Sequence, residues 1–230
     1  MVHPQSILIT GLSKLSRAEV LEAGGLQNSL NNLTLDTTKV INNLKTIPWI
    51  ENAEISQTWP SGLSLNITEY KPKAIVSLQH LYFINENGTP FKKLDPGEIS
   101  DLPLISGFTV DDLSSSGPLV SDALAEIFAL IDVLGERDDD YATANVAEFH
   151  YDPDRGLTLF AKKTGVQIKV GLGGYSKKFW RLGKVMNHLK KEGLDEGLAY
   201  VNLEYPGRVT VSYRPGAAPT AAAPGRERRG

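Results

Sequence analysis

The sequence predicts an α+β fold in two parts: a small sheet backed by helices, then a larger mixed β-sheet domain with helices of its own. Three observations carry this. Between Val40 and Ala74 a short amphipathic helix gives way, at a proline, to two strands joined by a tight turn. From Ile75 onward the chain is rich in short strands. Two helical stripes interrupt them, Leu124, Ile127, Phe128, Ile131 and Leu134 in one and Phe179, Leu182, Met186 and Leu189 in the other. At 230 residues the chain has room for one or two buried cores.

The first part reads as strand, helix, helix, strand, strand. Residues 7–10 are a strand ended by Gly11. Ser16 and Glu19 have capping-box spacing, so a helix starts there, runs to Ala23 and stops at Gly24-Gly25. Asp36 is the expected N-cap of the second helix, whose face is Val40, Ile41, Leu44 and Ile47. Pro48 disfavours helical geometry at Ile47 and closes it. Residues 53–58 are strand-like, Pro60-Ser61-Gly62 is a turn, and Leu63, Leu65 and Ile67 alternate with polar residues.

In the second part, strands are expected at 75–78 and 81–84, with a turn at Asn85-Glu86-Asn87-Gly88. Ser121 is the expected cap of the Leu124 helix, and Asp138-Asp139-Asp140 a solvated loop after it. Strands follow at 146–151, 157–161 and 166–170, joined by tight turns at 152–156 and 162–165. Ser176 is the expected cap of the Phe179 helix. The last two strands are 200–205 and 208–213, joined by Pro206-Gly207. Beyond Tyr213 the chain is rich in Pro, Ala and Gly, a composition expected to be disordered, with a basic end at Arg226, Arg228 and Arg229.

Composition narrows the function classes. Hydrophobic residues make up 41% and charged residues 22%, and the net charge of -3 leaves no electrostatic footprint for nucleic acid. There is no cysteine, which removes disulfides, thiolate metal sites and a cysteine nucleophile. No run approaches the roughly 18 apolar residues of a membrane helix. His3, His80, His150 and His188 have no metal-ligand spacing. Asp152-Pro153-Asp154-Arg155-Gly156 lacks the glycine and distal glutamate of a calcium loop and reads as a β-turn. Gly171-Leu172-Gly173-Gly174 is a weak match to a phosphate cradle, without the rest of either nucleotide motif. Asp111-Asp112 sits in a Ser-rich loop that gives catalytic carboxylates no shielded pocket. Trp49 and Trp59 are read as packing residues. No catalytic, cofactor-binding or metal-binding residue is expected.

The segment Pro48-Trp49-Ile50, Ala53, Ile55, Trp59-Pro60, Leu63, Leu65, Ile67, Glu69-Tyr70, Pro72 and Ala74 closely resembles a POTRA domain. It is the form used by the bacterial cell-division proteins FtsQ and DivIB. The resemblance continues through Asn87-Gly88, Phe91, Leu102-Pro103-Leu104-Ile105, Gly107 and the closing Tyr200–Tyr213 stretch. It implies a POTRA domain at about 1–75, a β domain at 76–213 and a tail at 214–230. It also implies a non-catalytic scaffold in the periplasm, tethered to the inner membrane at the septum by a helix upstream of this chain. Partners of the FtsB and FtsL type would bind by β-strand addition, helping to regulate septal wall synthesis, and other septal proteins would use the POTRA half. Two other classes share parts of this reading: a POTRA scaffold or chaperone of an outer-membrane assembly or secretion system, and a periplasmic wall-modifying enzyme.

The expected partner site is the final strand. Val209, Val211 and Tyr213 share one face, and Arg208, Thr210 and Ser212 the other. Just before a Pro-rich tail, such a strand is placed to lie at a sheet edge, where its backbone is a template for another chain. Tyr205 and Tyr213 are the expected aromatic anchors, and Arg155 the expected ion-pair residue. The junction at Lys71-Pro72-Lys73 is expected to let the POTRA half pivot as a body.

Overall fold

In a computed structural model of the chain, the described residues are 7–26, 36–58, 62–98, 100–114, 118–137 and 141–217. Trp59, Pro60 and Ser61, the acidic triplet at 138–140 and the tail beyond Ala217 lie outside them. By compactness the chain divides into two units. The first runs through Lys73 and takes in Tyr82–Asp95. The second holds Ala74–Leu81 and the chain from Pro96 onward.

The first unit has the predicted element order: β1 (Ile7–Thr10), α1 (Arg17–Ala23), α2 (Thr37–Leu44), β2 (Ile50–Thr58) and β3 (Gly62–Glu69). Its three-stranded sheet is ordered β1-β3-β2, with β1 parallel and β2 antiparallel to β3. Leu63, Leu65 and Ile67 point inward onto Val20, Val40 and Leu44, as their alternation requires. Both helix starts follow from local chemistry. Ser16 accepts from the Glu19 amide at 3.2 Å, while the Glu19 carboxylate accepts from the Ser16 amide at 2.7 Å. Asp36 accepts from the Lys39 amide at 3.1 Å. The second helix ends at Leu44, ahead of Pro48, and Ile47 is carried by a tighter turn in which its amide donates to the Leu44 carbonyl at 3.0 Å.

Glu69 closes this unit. Its buried carboxylate accepts three backbone bonds, from Ser13 at 2.9 Å, Lys14 at 2.7 Å and Leu15 at 3.0 Å. These pin the loop that launches α1 onto the end of β3. The hairpin of β5 (Leu81–Asn85) and β6 (Pro90–Lys93) contributes Phe83 and Phe91. Trp49 lies 5.4 Å from each of those rings, and Tyr70 stacks on Phe91 at 4.5 Å. Trp49 is therefore a packing residue. The hairpin turns at Asn85, whose side-chain oxygen accepts from the amides of Asn87 and Thr89, with Gly88 at φ 77°.

In the second unit the strands lie in the order β12-β11-β10-β9-β8-β7-β4, with β4 at Pro72–Ser77 and β7 at Leu104–Ser106. The others are β8 (Val146–Asp152), β9 (Gly156–Ala161), β10 (Gln167–Gly171), β11 (Leu198–Asn202) and β12 (Thr210–Tyr213). β8, β9 and β10 are an antiparallel meander, β11 returns parallel to β10, and β12 folds back antiparallel to β11. α4 (Pro118–Gly135) and α5 (Tyr175–Lys191) bury the two apolar stripes.

Two helix starts differ from expectation. α4 begins at Pro118, so Ser121 lies inside the helix. Proline is favourable in a first turn, where its missing N–H loses nothing. α5 is entered through Gly174 at φ 66°, so Ser176 is also inside and caps nothing. A short helix α3 (Val110–Ser114) occupies the stretch expected to be loop. Asp112 accepts from the Thr109 amide at 2.7 Å and holds its start.

Gly107 is the tightest point of this sheet. Its φ is 95°, and a Cβ there would run into the Tyr151 carbonyl. The close approach lets the next residue, Phe108, stack on Tyr151 at 5.0 Å and aligns β7 with β8.

Gly107→Ala is expected to lower stability by about 2 kcal/mol or more, because it combines positive-φ strain with a backbone collision, and thermal unfolding checks this. For Glu69, burial alone would raise the carboxyl pKa, but the three backbone donors and the nearby Lys14 charge lower it overall. The stabilisation is then complete above the ordinary glutamate pKa of about 4.3 and is lost as pH falls through the lower folded value. Glu69→Gln is expected to cost about 1–2 kcal/mol at pH 7. It should also flatten the loss of stability between roughly pH 5 and pH 3. Denaturant unfolding across that range checks both.

Candidate protein-docking edge

Strand β12 has β11 as its neighbour and ends the strand order of its sheet among the described residues. The register pairs Val201 with Val211 and Asn202 with Thr210, and slips between Leu198 and Tyr200. The approach to the strand is shaped by polar contacts. The Asn202 side chain donates to the Glu204 carboxylate at 2.8 Å and accepts from the Glu204 amide at 2.8 Å. The Leu203 amide donates to the Lys169 carbonyl at 2.8 Å, which anchors the loop to β10. Pro206, which lacks an N–H, and Gly207, at φ 79°, then delay pairing until Thr210.

The eight residues expected at the partner site therefore fall into three groups. Thr210, Val211, Ser212 and Tyr213 form β12, with Thr210 exposed and the other three half-buried. Tyr205, Arg208 and Val209 lie in the loop before it, so the strand is shorter than the 208–213 expected. Tyr205 is 48% exposed, its ring is covered by the Arg208 guanidinium at 4.7 Å, and its carbonyl accepts from Arg181 at 3.3 Å. Tyr213 is committed inward, since its hydroxyl donates to the Leu194 carbonyl at 2.8 Å. Of the two aromatics, Tyr205 is the one available as an anchor.

Arg155 is exposed in the β8–β9 turn. Asp152 holds that turn, accepting from the amides of Asp154 at 2.8 Å and Arg155 at 3.0 Å. Those two bonds hold the Asp152 carboxyl below its ordinary pKa, with the Arg155 charge adding to them. Gly156, at φ 76°, packs on the Gly171 backbone. The geometry is that of a β-turn. Arg155 and Tyr205 line one open depression of about 490 Å³ that crosses the sheet face, with Thr158, Lys169 and Glu204 between them.

Two further arrangements have chemical potential: a Ser-Glu-His cluster that the sequence does not signal, and the Gly171–Gly174 loop that it does. The Ser106 hydroxyl donates to Glu148 and lies 2.8 Å from His150 Nδ1. The hydroxyl sits between acid and imidazole, whereas nucleophilic activation needs the imidazole between hydroxyl and acid. At the start of α5, Gly171-Leu172-Gly173-Gly174 meets the Glu204 side chain, a poor neighbour for phosphate. Lys178 caps the end of β10 there, donating to the carbonyls of Val170 at 2.7 Å and Leu172 at 2.9 Å. Burial and the Arg181 charge lower its pKa. Among the described residues no group of three His, Asp or Glu side chains is arranged to hold a metal, and no helix is long and apolar enough to cross a membrane.

Comparison with known proteins agrees with the two-part α+β fold. Residues 2–70 match the family described as "POTRA domain, FtsQ-type", and residues 74–204 that described as "Cell division protein FtsQ/DivIB, C-terminal". A cell division protein FtsQ from Geobacter sp. (strain M21) is 30% identical over 211 residues, covering 92% of this chain and 76% of that protein. One from Anaeromyxobacter sp. (strain K) is 31% identical over 193 residues, 84% of this chain and 65% of that protein. A cell division protein DivIB from Macrococcus caseolyticus (strain JCSC5402) is 26% identical over 135 residues, 58% of this chain and 45% of that protein. With a POTRA domain of the FtsQ type leading into the C-terminal domain of the same proteins, the chain belongs to the FtsQ/DivIB family of bacterial cell-division proteins.

Proposed function

We propose that this chain is a non-catalytic scaffold of the division apparatus that receives an extended segment of an FtsB- or FtsL-type partner on the open side of β12. In this reading it works in the periplasm, tethered to the inner membrane, and recruitment of those partners helps regulate septal wall synthesis. The observation that carries the proposal is the place of β12 at the end of its strand order. A strand with one neighbour offers a row of backbone donors and acceptors to an incoming strand.

Other strands also have one neighbour, and their chemistry makes them worse receivers. β6 contains Pro90, Lys92 and Lys93, the proline and charges that blunt an edge. β2 carries Glu51 and Glu54 and a register slip between Ile50 and Asn52. β1 is as short as β12 and as free of charge, but its Ile7 carbonyl already accepts from the Arg17 guanidinium at 2.6 Å. β12, Thr-Val-Ser-Tyr, has neither charge nor proline. Tyr205 stands beside its start, and Arg155 lies across the depression that Tyr205 also lines. Backbone pairing then supplies affinity, Tyr205 supplies an anchor, and Arg155 pairs with a carboxylate of the partner.

Successive amides of a strand point to opposite edges. Of Thr210→Pro and Val211→Pro, one therefore breaks the β11 ladder and lowers the melting temperature. The other leaves the fold intact and is expected to weaken binding of the extended FtsB-type segment about tenfold, as does Tyr205→Ala. Calorimetric titration with that segment checks this. If the folded proline variant and Tyr205→Ala both bind as the parent does, the β12 edge is not the docking site.

A further inference from the structure

A second surface of the same unit has the composition of a docking site, and it stands independently of β12. Helix α5 carries Lys177, Lys178, Arg181, Lys184, Lys190 and Lys191 and no carboxylate, a local reversal in a chain of net charge -3. Its inward stripe is the buried core face. Its outward face presents Trp180, 61% exposed, an orientation that strands a large apolar side chain in water. Leu172, in the loop leading to the helix, is 60% exposed. Together they line an open groove of about 700 Å³ whose far wall is Pro206 and Gly207. On the other side of Gly174 and Lys177 lies a second depression of about 440 Å³, lined by Ala129 and by Val133, which is 38% exposed.

Contiguous exposed apolar side chains rimmed by charge mark interaction surfaces. Tryptophan is the side chain most often found as the energetic anchor of such surfaces. The charge at this rim is mainly positive, with Glu204 the carboxylate among the groove's lining residues. The Lys184 ammonium lies 3.8 Å from the Trp180 ring centroid, and Lys177 stands between the two depressions. Lys178 and Arg181 are engaged with backbone carbonyls, and Glu204 is held by Asn202. Lys177 and Lys184 are thus the charges placed to meet an incoming ligand.

We propose that this face binds an acidic amphipathic segment of another polypeptide. Its apolar side chains would enter the two depressions, and its carboxylates would meet Lys177 and Lys184. The presence of two separate depressions favours a peptide over a bilayer. Two separate hollows accept individual side chains, whereas a lipid surface approaches as a plane and meets the ridge at Gly174 and Lys177. The ligand follows the helix-in-groove mode, with apolar residues three and four apart and glutamates on the flanks.

The probe is a fluorescein-labelled 14-residue peptide of Glu, Leu and Phe in that pattern, with a Lys-for-Glu counterpart and vesicles of phosphatidylglycerol alongside it. Anisotropy with the full chain is expected to show binding of the acidic peptide and at least tenfold weaker binding of the basic one. Trp180→Ala and the double change Lys177→Glu with Lys184→Glu are each expected to weaken the acidic peptide at least tenfold. All three side chains are exposed, and an unchanged circular dichroism spectrum verifies the fold. Tyr205→Ala is expected to leave this binding unchanged, which separates the surface from the β12 edge. Equal binding of the two peptides, or an acidic peptide insensitive to Trp180→Ala, overturns the proposal. So does Trp180-dependent binding of the vesicles in place of the peptide.

Discussion

A β-strand satisfies half of its backbone hydrogen bonds on each side, and this constraint organises the sheet of the second unit. From β7 to β11, each strand of the second unit lies between two others that hold its backbone on both sides. β12 ends that series, with β11 on one side and no strand among the described residues on the other. Water satisfies its remaining amides and carbonyls in the free chain. A partner strand satisfies them equally well and adds side-chain contacts, so recognition needs little rearrangement of the receiver. In the proposed scaffold role, such an edge would bind through geometry that the fold already maintains.

The rest of the second unit keeps that edge in place. β11 reaches β10 as a parallel neighbour only because α5 carries the chain back across the sheet. α5 is held at its start by Lys178 on the Val170 carbonyl of β10 and by the Tyr175 hydroxyl on Glu126 of α4 at 2.7 Å. Burial and the neighbouring Glu126 raise the Tyr175 pKa, so that phenol stays a donor. At the C-terminal end of β12, the Arg214 amide bonds to the Gly197 carbonyl and its guanidinium to the Thr164 carbonyl. The edge is therefore clamped at both ends, and among the described residues no strand covers its other side.

Local chemistry was legible in the sequence, and long-range order was not. The alternation of Leu63, Leu65 and Ile67 and the Ser16–Glu19 box depend on neighbours a few residues away, and both stand as read. Thr109 and Asp112 have the same kind of spacing, so α3 was readable but was masked by the surrounding serines. Ser121 and Ser176 misled because a serine before an apolar stripe competes with other starts. Pro118 and the left-handed Gly174 were the stronger signals. The Lys and Arg spacing of α5 was also visible, but a chain-wide net charge averages it away. By contrast, the inward bond of Tyr213 to Leu194 joins residues brought together only by the fold. The shared depression of Arg155 and Tyr205 likewise depends on four strands being in register.

The central claim is that a partner strand pairs with β12, and residue-resolved amide hydrogen exchange tests it most directly. Exchange is measured on the full chain, free and saturated with the extended FtsB-type segment. The account predicts that alternate amides among Thr210, Val211, Ser212 and Tyr213, rapidly exchanging in the free chain, slow by roughly tenfold or more in the complex. The intervening amides, already bonded to β11, change little. Saturated binding with no added protection anywhere in β12, or with protection appearing instead along β2 or β6, contradicts it.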